Sequence, residues 1–432
     1  MSVLFKNAEI YSDGKFLKNA YLGVNGSTID YIGEAVPSSK YDEIKDMSGK
    51  LLIPGLINTH THSPMTLLRG AGTGLPLQRW LFEAIFPIED KMTDSDVIIG
   101  TQFAILEMLA GGTTCFEDMY WNYSVLAPMI LDSGIKVNSG AVVQLNDPSA
   151  DWAKAFAEKR LQGNIDFYKQ FNNAGDGRIH CDLQLHSEYL MNDYYAKKSS
   201  EVIHEYNMPI HMHISETKLE HEQCIERHGI TPIAYMNEMG LLDTGAVCAH
   251  CVWVSDEDLE IMAKKGATIA HNPTSNLKLG SGIAPIAQAR SMGVNVTIGT
   301  DGTASNNNLN MFEEMHIASL LQQGISQDPL ALSAKDCFDM ATVNGAKALH
   351  RPDTGVLSVG KKADIVAIDM DKPHLLPNLD TIALLVYSVQ AADVCMTMVD
   401  GKVLYENGEY FSIDAEKCKA EYLSAAEKLW SK

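Results

Sequence analysis

The chain contains no run of about eighteen consecutive apolar residues, the length a helix needs to cross a bilayer, so no membrane span is expected. Positive charge is also scarce. There are 34 Lys and Arg against 55 Asp and Glu, a formal net charge of -21. A nucleic-acid surface needs a basic footprint, and this composition does not supply one. Small neutral or zwitterionic ligands, free nucleosides among them, are compatible with it. Cysteine is sparse and unpatterned, with eight in the chain. Only Cys248 and Cys251 have CxxC spacing. A structural zinc site would want a second pair, and a redox motif would open a helix in a thioredoxin-like unit. Here the pair brackets His250 at a strand end, so both cysteines are assigned to packing. Residues 1–10 lack the charged and apolar regions of a secretory leader. A cytoplasmic location is the expectation, with the thiols reduced.

What is present is an ordinary globular composition, 46% apolar over 432 residues, enough for one large domain and a small one. From about residue 52 to about 350, short apolar runs alternate with helical stretches. One helix opens at Asp94-Ser95-Asp96 and stops at Gly111-Gly112, as capping preferences dictate. Strands are expected from Thr113, from Ile135 and continuously over 179–186, and others end at His213, His250, His271 and Asp301. Strand and helix in alternation imply a parallel sheet with right-handed crossovers. The expected fold is therefore α/β, a (β/α)8 TIM-type barrel over residues 56–354. Residues 1–55 and 355–411 read instead as short strands with turn signals at Ser12-Asp13-Gly14, Asn25-Gly26 and Asp400-Gly401. Together they are expected to build one small β-sandwich domain, with a helix over 412–432.

The polar ends of the apolar runs carry the chemistry. His60 and His62 close the run Leu51-Leu52-Ile53-Pro54-Gly55-Leu56-Ile57-Asn58-Thr59-His60-Thr61-His62. Two residues apart on a strand, they share one face. Core histidines bonded to carbonyls are one reading. A metal site is the other, because neutral imidazole is a common zinc ligand. His213, His250 and Asp301 also sit where an apolar strand gives way to a polar loop. Polar residues at several strand C-termini are the layout of a barrel active site. Three imidazoles and a carboxylate suit zinc or iron and suit calcium poorly. His211 shares a strand face with His213 and is its rival as ligand.

Four separated runs, in order, resemble the amidohydrolase superfamily across nearly the whole chain. They are Pro54-Gly55-Leu56-Ile57-Asn58-Thr59-His60-Thr61-His62, His213-Ile214-Ser215-Glu216-Thr217, His271-Asn272-Pro273-Thr274-Ser275-Asn276-Leu277-Lys278-Leu279 and Gly299-Thr300-Asp301-Gly302. The branch they are most similar to holds the 5'-methylthioadenosine/S-adenosylhomocysteine deaminases. The resemblance implies that His60, His62, His213 and Asp301 ligate one divalent metal, zinc or alternatively ferrous iron. It selects His213 over His211, since the family's ligand stands three residues before the glutamate. Such a metal lowers the pKa of a bound water and supplies hydroxide for attack on C6 of an adenine ring. Glu216 would shuttle protons to the ring nitrogen and the leaving amine. Asp301 would help deprotonate the water, and His250 would hydrogen-bond the water or the developing oxyanion.

The same resemblance places a substrate-covering loop over residues 75–90. Trp80 would pack on the nucleoside or its thioether, and Glu89 would accept hydrogen bonds from the ribose hydroxyls. His186 would lie by the sugar. Arg160 matches an arginine that in some members meets the carboxylate of S-adenosylhomocysteine. A second arginine used by some members is not evident around Asn146-Asp147-Pro148. Methylthioadenosine, adenosine and 5'-deoxyadenosine are thus as compatible as S-adenosylhomocysteine. The alternative within the superfamily is a deaminase or hydrolase of a free base or other heterocycle, guanine-type or triazine. A barrel kept as a non-enzymatic module would be expected to lose ligands, and this chain keeps all four and Glu216. A homo-oligomer is compatible with the family, though no interface is legible.

Overall fold

The computed structural model describes residues 2–121, 123–145 and 147–431. The N-terminal part forms β1 (Ser2–Ser12), β2 (Lys15–Asn25), β3 (Thr28–Gly33), β4 (Glu43–Asp46) and β5 (Lys50–Pro54). Asp13 and Gly14 turn β1 into β2, both at positive φ (48° and 78°). That is the backbone a two-residue hairpin needs and an Asp-Gly pair favours. β1 pairs antiparallel with β2 on one edge. Its other edge takes β4 along its first half and β5 along its second, both parallel.

The chain then enters the barrel. Its strands are β6 (Leu56–Thr61), β7 (Thr113–Tyr120), β8 (Lys136–Ala141), β9 (Ile179–Cys181), β10 (Leu183–Leu185), β11 (Ile210–Ile214), β12 (Ala246–His250), β13 (Thr268–His271) and β14 (Asn295–Ile298). All neighbours pair in parallel. The nine strands are eight passages of chain, because the fourth is split at Asp182. The continuous strand expected over 179–186 is corrected on this point. β9 pairs with β8 and β10 with β11, while Leu185 still bridges Val143 beyond the end of β8, so the ladder lapses at Asp182 without the passage leaving that side. Between β14 and β6 the closure mixes side-chain and backbone hydrogen bonds. Asn58 Nδ2 donates to Thr300 Oγ1 (2.8 Å), the Thr300 amide donates to Asn58 Oδ1 (3.0 Å), and the Asp301 amide donates to the His60 carbonyl (2.9 Å).

After the barrel come β15 (Ile365–Asp369), β16 (Val394–Val399), β17 (Lys402–Glu406) and β18 (Glu409–Tyr410). Asp400 and Gly401, again at positive φ, make the hairpin between β16 and β17. β15 pairs with β5, so strands from both termini join. Hydrogen bonding connects these strands in the order β18-β17-β16-β15-β5-β1-β2-β3 with β4 beside β1, a sheet separate from the barrel and built from both termini, in line with the small β domain expected.

Buried charge ties this sheet to the bottom of the barrel. Lys136, at the start of β8, reaches Asp364 (2.6 Å) before β15 and Asp400 (2.9 Å) in the hairpin. The C-terminal helix, Ala415–Trp430, lies against the helix Asp94–Ala110, with Phe103 stacked on Tyr422. Tyr422 and Trp430 donate to the Thr66 and Leu67 carbonyls, which braces the turn that follows β6. Cys248 and Cys251 are buried and free, as packing residues would be. Among the described residues no helix is long and apolar enough to cross a membrane.

Candidate active site

The C-terminal ends of β6, β11, β12 and β14 bring His60, His62, His213, His250 and Asp301 together, far apart as they are in sequence. Asp301 Oδ1 lies 3.4 Å from His60 Nε2 and 3.3 Å from His62 Nε2. His62 Nε2 and His213 Nε2 are 3.1 Å apart. The Nδ1 atoms of His62 and His213 each lie 2.7 Å from a backbone carbonyl, of Met119 and His186 respectively. A carbonyl can only accept, so the hydrogen of each neutral ring sits on Nδ1 and both Nε2 lone pairs face one point. Two lone pairs aimed at each other repel unless a cation lies between them. His60 Nε2 is buried and has no hydrogen-bond partner. This donor set, three imidazole nitrogens and a carboxylate oxygen, fits a zinc or ferrous ion.

The backbone around this cluster is forced. Ser215, His250, Cys251 and Asp301 all have positive φ, 53°, 75°, 48° and 61°. Such conformations are costly for residues other than glycine and gather where function over-determines them. Gly299 has to be glycine for a different reason. A Cβ there would lie 2.8 Å from His60 Cβ and 2.4 Å from Asn272 Oδ1.

Supporting groups aim each side chain. Asp301 Oδ2 accepts from Ser275 Oγ (2.6 Å), and the neighbouring imidazoles hold its carboxyl well below the usual carboxylate range despite its burial. His250 Nδ1 lies 2.8 Å from Asn276 Oδ1, which leaves its Nε2 turned towards Glu216 Oε2 at 3.7 Å. Glu216 is buried, and burial pushes its carboxyl up, with His250 working against that. Ser281 Oγ donates to its Oε1 (3.1 Å). The loop that presents Glu216 is held by Glu220, which accepts from the amides of Ser215 (2.9 Å) and Glu216 (2.8 Å).

A cavity opens over these groups. It is lined by Trp80, Phe86, Glu89, Tyr120, His186 and Tyr189 together with the site residues. Trp80 is buried, its Nε1 donating to the Ala71 carbonyl (3.1 Å). It begins a wide π-helical turn, Trp80–Ile85, that precedes Pro87. Proline in a helix clashes with the carbonyl four residues back, and a π turn relieves that strain. Glu89 is buried too. Its Oε1 accepts from Tyr120 Oη (2.8 Å), and burial pushes its carboxyl to about 7 against that hydrogen bond. Burial also drives His186 down to about 3, a neutral ring at ordinary pH.

Arg160 stands apart from this group. It lines an adjoining chamber of about 290 Å³, walled also by Phe86, Glu89, Asp90, Trp121 and Phe156. Its guanidinium lies over the Phe156 ring. Among the described residues it has no ion-pair partner. Asn146, in the stretch where a second arginine was sought, lies outside the described residues.

Sequence reasoning missed Tyr120, Tyr189, Ser281 and Glu220. Ser275 and Asn276 stand in the run His271-Asn272-Pro273-Thr274-Ser275-Asn276, which was recognised without a role for either. His211, the rival of His213 as ligand, lies behind the cluster, its Nε2 2.8 Å from His60 Nδ1.

The amidohydrolase family profile matches residues 51–404. A 5-methylthioadenosine/S-adenosylhomocysteine deaminase of Acetivibrio thermocellus is 41% identical over 439 residues, covering 99% of this chain and 100% of the relative. A 5'-deoxyadenosine deaminase of Methanosarcina acetivorans is 40% identical over 431 residues, covering 99% and 98%. Among solved structures, an adenosine deaminase of Xanthomonas campestris with bound zinc superposes with a TM-score of 0.92 at 28% identity, covering 100% of this chain and 99% of the other.

Proposed function

The chain belongs to the amidohydrolase family, and from that membership we propose a metal-dependent hydrolytic deaminase that converts adenosine derivatives to their inosine analogues and ammonia. One observation carries the proposal. The lone pairs of buried imidazoles and the Asp301 carboxylate converge on one point beneath a cavity whose wall holds a buried carboxyl, Glu89. His60, His62, His213 and Asp301 would hold a zinc or ferrous ion, which would lower the pKa of a water towards neutrality.

The protein's own groups then manage protons. His250, with Nδ1 committed to Asn276, offers Nε2 as an acceptor for a proton of the attacking water. The Asp301 carboxylate is a second acceptor close by. Glu216, whose carboxyl is raised by burial, holds a proton that it passes to the ring nitrogen beside the attacked carbon. A proton returned through Glu216 to the amine lets ammonia leave. Water adds, ammonia departs, and the adenine becomes a hypoxanthine.

Trp80 and Phe86 supply apolar walls for the nucleoside, and His186 borders the sugar. Glu89, backed by Tyr120, accepts from the two ribose hydroxyls. The chamber beyond Phe86 and Glu89 gives a 5' substituent somewhere to go. Arg160 there suits a carboxylate and Asp90 an ammonium, so an amino-acid tail is accommodated as well as a methylthio group. Relatives named for methylthioadenosine, S-adenosylhomocysteine and 5'-deoxyadenosine support the same substrate class.

The test is to load the protein with zinc and follow the adenine-to-hypoxanthine absorbance change with methylthioadenosine, S-adenosylhomocysteine, adenosine and 5'-deoxyadenosine in parallel. At least one should turn over. No change with any of the four, with zinc bound, would overturn the nucleoside assignment.

A further inference from the structure

The three imidazoles that face the metal position are not held alike. His62 and His213 each give Nδ1 to a backbone carbonyl, which fixes the tautomer outright. His60 has no such carbonyl. Its Nδ1 meets another imidazole, His211 Nε2, at 2.8 Å, with the rings nearly parallel at 14°. An imidazole nitrogen can donate or accept, so this contact permits two states. In one, His60 donates from Nδ1 and its Nε2 is free to bind a metal. In the other, His211 donates from Nε2, and the hydrogen of His60 sits on Nε2, where it faces Asp301 and blocks coordination.

The choice is made at the far side of His211. Its Nδ1 has no hydrogen-bond partner, but Glu117 Oε1 lies 3.8 Å away. That oxygen also accepts from Gln184 Nε2 (2.6 Å). Glu117, Gln184 and His211 come from β7, β10 and β11 and are all fully buried inside the barrel beneath the site. At 3.8 Å there is no hydrogen bond, but the negative end of a carboxyl oxygen on that side still favours the His211 tautomer with hydrogen on Nδ1, whose Nε2 is then an acceptor.

Building on the metal reading above, we propose that His211 is a positioning residue. Oriented by Glu117, it accepts the Nδ1 hydrogen of His60 and keeps His60 Nε2 available as a ligand. One metal ligand of the three imidazoles is thus governed by side chains from three other strands, where the other two are governed by the backbone. Outer hydrogen-bond partners of this kind typically change metal affinity by about 10–100-fold.

The experiment is zinc affinity by competition with a chromophoric chelator, on the unmodified chain, His211→Phe and His211→Gln. Phenylalanine keeps a ring and removes the acceptor, while glutamine restores one near the Nε2 position. The expected result is affinity about 10–100-fold weaker for His211→Phe and largely recovered in His211→Gln. Equal affinity for all three, or equal loss in both variants, would overturn the inference. Failure of the unmodified chain to bind zinc would overturn the metal reading itself. Nitrogen NMR of histidine-labelled, zinc-loaded protein adds a test that needs no variant. His211 should carry hydrogen on Nδ1 and not on Nε2, and the reverse would refute the proposal.

Discussion

At the scale of single residues, the account depends on where protons sit. Glu216 is raised by burial and faces His250, so it can hold the proton that a departing amine needs. Glu216→Gln keeps the shape and loses the acid. We expect kcat to fall by about 10²–10⁴-fold, the usual contribution of a general acid–base group, with zinc stoichiometry unchanged. Loss of zinc in the variant would instead place Glu216 in the metal shell. Glu89 makes a different prediction. Its carboxyl is pushed to about 7, and only the ionised form accepts from both ribose hydroxyls. For nucleosides, kcat/KM should therefore rise with pH through about 7 as the free enzyme loses that proton, and fall below it. Glu89→Gln should lack this limb, and so should the unmodified enzyme acting on a free base without ribose. The same limb with both substrate types would mean that Glu89 does not read the sugar. Arg160 tests the outer chamber. Arg160→Gln should weaken kcat/KM for S-adenosylhomocysteine by about tenfold or more and spare 5'-deoxyadenosine, since a charge-assisted hydrogen bond is worth about 1.5–3 kcal/mol.

At the scale of elements, the barrel separates function from stability by end. The strand C-termini carry the site, and the opposite end carries the buried ion cluster of Lys136, Asp364 and Asp400 that fastens the sheet. Lys136→Met would leave two buried carboxylates short of a partner. Breaking a buried pair in this way costs about 3–5 kcal/mol. Thermal unfolding should shift down accordingly, while the folded variant still binds zinc, because the cluster is remote from the ligands. An unchanged unfolding temperature would show that Arg178 and Lys362 on Asp400, and the Asp400 amide on Asp364, suffice without the lysine. The strands themselves were largely legible. Apolar runs ending in a polar residue mark the passages of β6, β11, β12, β13 and β14, and the two-residue period puts His60 and His62 on one face. The break at Asp182 was not legible, because Cys181-Asp182-Leu183 continues the pattern of its neighbours and only a lapse in the pairing interrupts the strand. The role of Tyr120 was equally hidden. Its hydroxyl matters because β7 ends beside Glu89, a contact between residues 31 apart in sequence.

At the scale of the whole molecule, strands from both ends of the chain close one sheet, and the C-terminal helix braces the turn after β6 that follows the first two ligands. The cluster proposed to hold the metal was partly readable from sequence, since His60 and His62 share a strand face locally, whereas choosing His213 over His211 took the family resemblance. The groups behind the cluster were not, because Ser275, Asn276 and His211 acquire their roles only when β6, β11, β12, the short helix Pro273–Lys278 and the segment after β14 meet in the barrel. The side chains of this arrangement converge on the proposed metal position. Its central claim is tested most directly by stripping the protein with a chelator and titrating zinc back while ammonia release from 5'-methylthioadenosine is followed. The expected result is no release from the stripped protein, and a rate that climbs with added zinc and levels off at one ion per chain. Ammonia release undiminished by stripping, or none with zinc bound, would contradict the account.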